Sequence, residues 1–179
     1  MATKIFIDPG HGGYDPGAVG NGVIEQAINL NVSKELNRLL KEAGYSTKIY
    51  RTTTTENVLS NKNADLRNRA NMANEWGADY FVSIHTNSSV NPLANGALGT
   101  VSEKLARSIL DSIVNTLGSK DNGVRAANFA VLRLTNMPAV LVELGYLSNS
   151  TEALNLNSPA WQKAVAKAIF EGIYKFVKP

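Results

Sequence analysis

The amino-acid sequence predicts an α/β fold, a mainly parallel sheet covered by helices on both faces. Two observations carry this reading. Short apolar runs bounded by turn residues alternate along the chain with longer stretches of helical periodicity. The runs around Ile5–Phe6–Ile7, Tyr80 to Ile84 and Ala139 to Val142 are also nearly unbroken, as strands buried on both faces are. A third observation concerns chemistry. The sequence has 2 histidines, and each follows one of these runs, which places His11 and His85 at carboxyl ends of strands, where open α/β sheets carry their sites.

Taken in order, residues 4–8 form the first strand, which turns through Asp8-Pro9-Gly10 into a glycine-rich loop (Gly12, Gly13, Gly17, Gly20, Gly22). Residues 26–43 repeat Ile28, Val32, Leu36 and Leu40 at helical spacing, and Gly44 stops the helix. A strand over 46–50 ends at Arg51, and the threonine-rich stretch 52–63 has no periodicity, so a mobile loop is expected there. A helix over 65–76, closed by Gly77, leads to the strand 80–84 and then to His85-Thr86-Asn87. A second mobile loop is expected at 88–99. Ser102 is placed to cap a helix carrying Leu105, Ile109, Ile113 and Leu117. Residues 129–132 read as a short strand, and 139–142 as a buried one ending in Glu143. Asn149 with Glu152 forms a capping-box pattern, and Ser158-Pro159 opens a last helix with Trp161, Val165, Ile169, Ile173 and Phe176 on one face.

A chain of 179 residues is the size of one compact domain, 1–179, and 44% apolar with 18% charged residues is an ordinary globular mixture. No apolar run approaches a membrane span, so no membrane insertion is expected. With no cysteine, disulfides and thiolate metal sites are excluded. The net charge of +3 comes without a basic run, which argues against nucleic acid as a partner. The opening residues carry no extended apolar segment of the signal-peptide kind, so a cytoplasmic protein released by lysis, or a leader not included in this sequence, is expected.

Four ionisable groups fall at or just beyond strand ends: His11, Glu25, His85 and Glu143. In a parallel sheet these can converge. Two imidazoles and one carboxylate make a catalytic zinc set with a fourth position for water, and a second carboxylate can act as the base. The residues alone leave both assignments open, although Glu25 sits among glycines that can wrap a metal. Glu143 follows a buried run that would raise its pKa. The glycine-rich loop has neither the P-loop Lys-Ser/Thr nor GxGxxG, and HExxH is absent.

The motifs DPGHGG and DPGA (residues 8–13 and 15–18), Glu25, LRNR (66–69), SIHTN (83–87), NFAVLR (128–133) and MPAVLVELGYLSN (137–149) occur in this order. Together the chain resembles, over nearly its whole length, the catalytic domain of zinc-dependent N-acetylmuramoyl-L-alanine amidases of bacteria and phages. The resemblance implies a twisted, mainly parallel sheet of about six strands and one zinc ion on His11, Glu25 and His85, with Glu143 as catalytic glutamate. It also implies hydrolysis of the amide between N-acetylmuramic acid and L-alanine in peptidoglycan. Asn87 and Arg69 are candidate substrate contacts, with Arg69 also placed to brace the fold through a carboxylate. Two departures stand out: residues 95–100 read NGALGT where the family often has a Gly-x-Glu-(Thr/Ser)-Tyr-Tyr strand, and Asp121-Asn122-Gly123 replaces Asp-Arg-Gly.

The expected partner is peptidoglycan, acted on by a monomer at the cell wall, with a fused wall-binding domain in a longer protein left open. The alternatives are a zinc peptidase acting on stem peptides, a wall-binding module without turnover, and a glycosidase using Glu25 and Glu143 as paired carboxylates.

Overall fold

The computed structural model describes residues 1–87, 94–95 and 100–179. In chain order the elements are β1 (Lys4–Pro9), β2 (Val19–Gly20), β3 (Val23–Ile24), α1 (Glu25–Glu42), β4 (Ser46–Ile49), α2 (Lys62–Trp76) and β5 (Tyr80–Asn87). They continue with β6 (Ala94–Asn95), α3 (Thr100–Leu117), β7 (Arg125–Ala126), α4 (Ala130–Arg133), β8 (Ala139–Tyr146), α5 (Ser150–Leu156) and α6 (Pro159–Phe176). Six strands form one sheet in the order β4-β1-β5-β8-β6-β7. The first four are parallel, β6 runs antiparallel to β8, and β7 is parallel to β6. The mainly parallel sheet is therefore present. A two-residue strand at its margin stands beside the stretch that departs from the family pattern.

Alternation along the strands sorts the core into two faces. Ile5, Ile7, Val82, Ile84, Val140 and Val142 pack against α1, α3 and α6. Phe6, Phe81, Ala139 and Leu141 face the other way, toward α2 and α4. The same alternation carries Asp8, Ser83, His85 and Glu143 to the α2 side. This puts the strand-end chemistry on one face of the sheet.

Helix ends follow local chemistry. Asn61 caps α2 through its side chain, which accepts from the Ala64 N–H at 3.0 Å, and Gly77 closes the helix in a left-handed conformation (φ 67°). Ser158 caps α6 with Pro159 in its first turn. No side chain caps α1. Its first N–H groups, those of Glu25 and Gln26, donate to the carbonyls of Ala18 and Pro16, so the glycine-rich loop folds back over the start of the helix.

Four expectations are corrected. Residues 129–132 are not a strand: the Leu132 and Arg133 N–H groups both donate to the Phe129 carbonyl, and the resulting turn of α4 buries Val131 and Leu132 together. An extended strand would have turned one of them to the opposite face. Ser102 does not cap α3; it lies inside the helix, fully buried, and its hydroxyl accepts the Ala139 N–H of β8 at 3.2 Å. The capping box at α5 is half formed. Asn149 accepts the N–H groups of Thr151 and Glu152, but the Glu152 carboxylate accepts from Tyr146 N–H instead of returning to Asn149. The stretch 52–63 is tied down rather than free: Thr54 O accepts from Gly13 N–H at 2.6 Å, Tyr50 Oη donates to Asn57 O at 2.6 Å, and Asp65 accepts from Leu59 N–H at 2.9 Å. The expected loop at 88–99 lies outside the described residues apart from β6.

On the far face, α3 and α6 cross closely at Gly172, whose carbonyl accepts from the Ser108 hydroxyl at 2.7 Å. A Cβ at Gly172 would come within 2.5 Å of Ile109 Cα and 2.8 Å of Ser108 O. Gly172→Ala should force the helices apart and cost about 1–3 kcal/mol. Chemical denaturation checks this, and a variant as stable as the parent would refute the close crossing.

Candidate metal centre

The loop after β1 turns the chain sharply. Gly10 N–H donates to the Ile84 carbonyl at 2.9 Å, and His11 adopts a left-handed backbone conformation (φ 60°) that a non-glycine residue rarely takes. Gly10 lies flat against the His85 ring, where any Cβ would collide. Gly17 is equally constrained, because a Cβ there would sit 2.6 Å from Glu25 Oε2 and 2.7 Å from His11 Cδ2. These two glycines admit the imidazoles and the carboxylate to one small space.

Within that space Glu25 Oε1 lies 3.2 Å from His11 Nε2 and 3.1 Å from His85 Nδ1. The two rings stand edge to face with centroids 4.9 Å apart. One donor atom from each of His11, Glu25 and His85 lies within 4.8 Å of the others. Tetrahedral zinc with bonds of about 2.0–2.2 Å requires donors roughly 3.4 Å apart, so the set fits that ion in both chemistry and spacing.

The surroundings orient each donor. Asp15 Oδ2 lies 2.9 Å from His11 Nδ1 and its Oδ1 accepts from Gly17 N–H at 3.0 Å, leaving Nε2 to face Glu25. Glu25 Oε2 accepts from Ala18 N–H at 2.8 Å, and Oε1 accepts from Thr86 N–H at 2.9 Å and Asn29 Nδ2 at 3.3 Å. The Thr86 hydroxyl in turn donates to Asn29 Oδ1 at 2.9 Å. Burial alone would raise the Glu25 pKa, but hydrogen bonds with His11 and His85 outweigh it and hold the carboxyl well below the usual range. Burial likewise opposes charge on His11, and its contacts with Glu25 and Asp15 prevail, raising its pKa.

Glu143 stands directly opposite His85 in the β5–β8 register. Its Oε2 is buried without a hydrogen-bond partner. Burial first, and then the Glu25 charge, push its carboxyl up to about 8, with His11 partly opposing the rise. The structure thus sets Glu25 between the imidazoles and leaves Glu143 as an isolated carboxyl beside them. Glu143 and the two imidazoles line a pocket of about 300 Å³ whose other walls include Tyr14, Leu66, Phe129 and Val131.

Arg69 lines this pocket, yet its guanidinium is engaged below it, with Asp8 Oδ1 and Asp65 Oδ2 both at 2.7 Å and the carbonyls of Pro9 and His11 at 2.8 Å. This is the bracing role through carboxylates. The backbone of Asn87 pairs with Tyr146 beyond a bulge in the ladder, and its side chain lies outside the described residues. Several contributors escaped the sequence reading. Asn29 had a signal, being four residues after Glu25 on the same helix face, and Asp15 stands four after His11. Arg51 had none, since a strand-end arginine is normally solvated.

A buried carboxylate between two half-buried imidazoles at the carboxyl edge of a mainly parallel sheet defines an α/β enzyme domain with a candidate metal site. The N-acetylmuramoyl-L-alanine amidase family matches residues 5–175, and the chain belongs to that family of enzymes. It is 34% identical over 189 residues to the amidase LytC of Bacillus subtilis, covering 99% of this chain and 36% of LytC. It is likewise 34% identical over 175 residues to the amidase CwlM of Bacillus licheniformis, covering 96% of this chain and 67% of CwlM. The chain thus spans about a third of LytC. Among solved structures, an N-acetylmuramoyl-L-alanine amidase from Clostridium difficile 630 superposes with a TM-score of 0.87 at 33% identity, covering 98% of this chain and 96% of that one. The CwlD amidase of Clostridioides difficile, solved in complex with the GerS lipoprotein, gives 0.90 at 27% identity, with 97% and 98% covered.

Glu143 makes the metal-free protein sensitive to pH. Its folded-state pKa of about 8 lies above the ordinary 4.5, so between these values the folded chain holds a proton that the unfolded chain has released. Stability from this group is therefore lost as pH rises across that window. Glu143→Gln removes the effect: the metal-free variant should melt higher than the parent at pH 9, with the difference shrinking toward pH 4.5. A difference in melting temperature that does not change with pH would contradict the buried carboxyl.

Proposed function

We propose that residues 1–179 form a single catalytic domain that uses one zinc ion, held by His11, Glu25 and His85, to hydrolyse the amide between N-acetylmuramic acid and L-alanine in peptidoglycan. The observation that carries this reading is Glu25 Oε1 within 3.2 Å of both imidazoles, beside a Glu143 oxygen with no partner of its own. Zinc in this donor set supplies Lewis acidity toward the scissile carbonyl and a water ionisable near neutral pH.

The chain's own residues do the rest. Asp15 holds His11 in the tautomer that keeps Nε2 free. The backbone N–H groups of Ala18 and Thr86 fix both oxygens of Glu25, so the carboxylate cannot swing toward solvent. Glu143 Oε2 accepts a proton from the attacking water and delivers it to the departing L-alanine nitrogen. Burial of this carboxyl favours its protonated form, which suits delivery of the proton to the nitrogen. Tyr14, Leu66, Phe129 and Val131 give the pocket apolar surface for substrate to lie against. The site of action is the cell wall.

Mass spectrometry of digested wall fragments tests the bond cleaved. New N-terminal alanine on released peptides and intact glycan strands are expected, with loss of both products in chelator and recovery on adding zinc. New termini within the stem peptides would favour a peptidase instead. Activity in a rigorously zinc-free preparation would exclude the metal. The two glutamates should separate: Glu25→Ala should lose zinc and activity together, whereas Glu143→Gln should keep its zinc while turnover falls about 10²–10⁴-fold. Zinc content by elemental analysis, read beside turnover, checks this; the opposite pattern would exchange the two roles.

A further inference from the structure

We infer that Arg51 is a positioning residue for the metal centre: its guanidinium binds the backbone beside all three candidate ligands and sets their relative placement. The inference rests on the zinc reading above.

Arg51 follows β4 and is fully buried. Among the described residues it makes no ion pair, and backbone carbonyls accept its hydrogen bonds. Nε donates to His11 O at 2.9 Å and, more weakly, to Pro9 O at 3.2 Å. Nη2 donates to Gly10 O and to Gln26 O, both at 2.9 Å, and Nη1 to Thr53 O at 3.3 Å.

The location of these acceptors is what matters. The His11 carbonyl belongs to a ligand, and it is held in a left-handed conformation (φ 60°). Gln26 adjoins Glu25 in the first turn of α1. Gly10 is the residue on which the His85 ring lies, too close for any Cβ. One planar group therefore joins the end of β1, the His11 loop and the start of α1 at the points where the ligands attach. The loop has been shaped around it: a Cβ on Gly12 would come within 2.9 Å of Arg51 Nε.

Only an arginine has the form for this task. Its N–H donors radiate in one plane and reach several chain segments at once, whereas a lysine ammonium is a compact point charge with three donors. Burying a cation away from carboxylates is costly, and burial, followed by the neighbouring Arg69, lowers the Arg51 pKa to about 10. Arg69 provides the contrast: it too donates to His11 O, but Asp8 and Asp65 neutralise it and account for its place. No such charge balance in direct contact accounts for Arg51. Its acceptors lie in the ligand-bearing segments and the loop beside them. Because metal sites tolerate donor displacements of only about 0.2 Å, the loss of such a fastening registers in metal affinity.

The test uses the full chain, with zinc affinity measured by competition against a chelator of known strength and folding followed by circular dichroism and thermal melting. Arg51→Lys, which keeps the charge and the aliphatic stem, should fold and bind zinc about 10–100-fold more weakly, and Arg51→Met should bind at least as weakly. Ile113→Ala, in the α3 core on the far face, serves as a control for general destabilisation and should leave zinc affinity unchanged. His11→Ala should lose zinc outright. Parent-like affinity in both Arg51 variants would overturn the inference, as would an equal loss of affinity in Ile113→Ala. Failure of Arg51→Lys to fold would also overturn it, since Arg51 would then serve the fold as a whole. If His11→Ala binds zinc like the parent, the zinc centre itself is wrong; if His11→Ala loses zinc while Arg51→Lys retains parent affinity, only the role of Arg51 falls.

Discussion

The arrangement of the strand ends depends on one buried carboxylate. Glu25 is 4% exposed, and a carboxylate at that depth is stable only where donors and positive charge converge on it. Backbone N–H groups from the glycine-rich loop and from β5 supply two of those donors, and Asn29 supplies a third. His11 and His85 close on the same oxygen from either side. The demand of this charge for partners draws α1, β5 and the loop after β1 to a common point. It also explains why α1 begins without a side-chain cap: its first acidic residue turns inward to the imidazoles, and loop carbonyls satisfy its opening N–H groups.

Beneath that carboxylate lies a second layer of buried charge. Arg69 joins Asp8 on β1 to Asp65 on α2, Ser83 of β5 donates to the other Asp8 oxygen at 2.7 Å, and the guanidinium stacks over the Tyr50 ring at 4.3 Å. Removing a single partner from such a pair typically costs about 3–5 kcal/mol, because the remaining charge cannot be resolvated in place. The layer therefore acts as a rigid floor. Arg51 and Arg69 meet on the His11 carbonyl, so the loop bearing the first histidine is held from the end of β4 and from α2. A candidate ligand on a loop gains in this way the precision of one on a regular element.

The outline of the fold was legible because it rests on local periodicity. Unbroken apolar runs marked strands buried on both faces, and repeats such as Leu105, Ile109 and Ile113 marked helices packed on them. The errors arose where a tertiary partner overrode a local pattern. Val131 and Leu132 form a turn that brings both into one buried cluster with Phe81 and Met137. Ser102 gives up its capping role because the unpaired Ala139 N–H needs a buried acceptor. The threonine-rich stretch looked free because threonine and asparagine give no hydrophobic signal, although Tyr50 and Asp65 bind its backbone.

The sequence by itself determined the class of site. Two histidines at strand ends with two glutamates nearby supply the donor set of a candidate metal site, since each residue type carries its own chemistry wherever it stands. Only the tertiary structure decided how the surroundings of the two glutamates differ. Glu25 and Glu143 are the same side chain, and what separates them is environment: one lies between two imidazoles and backbone donors, the other in the pocket wall without a hydrogen-bond partner for Oε2. Those environments are built by segments distant in sequence. The role of Arg51 is decided in the same way, because its acceptors are backbone carbonyls, and a carbonyl leaves no trace in the amino-acid sequence.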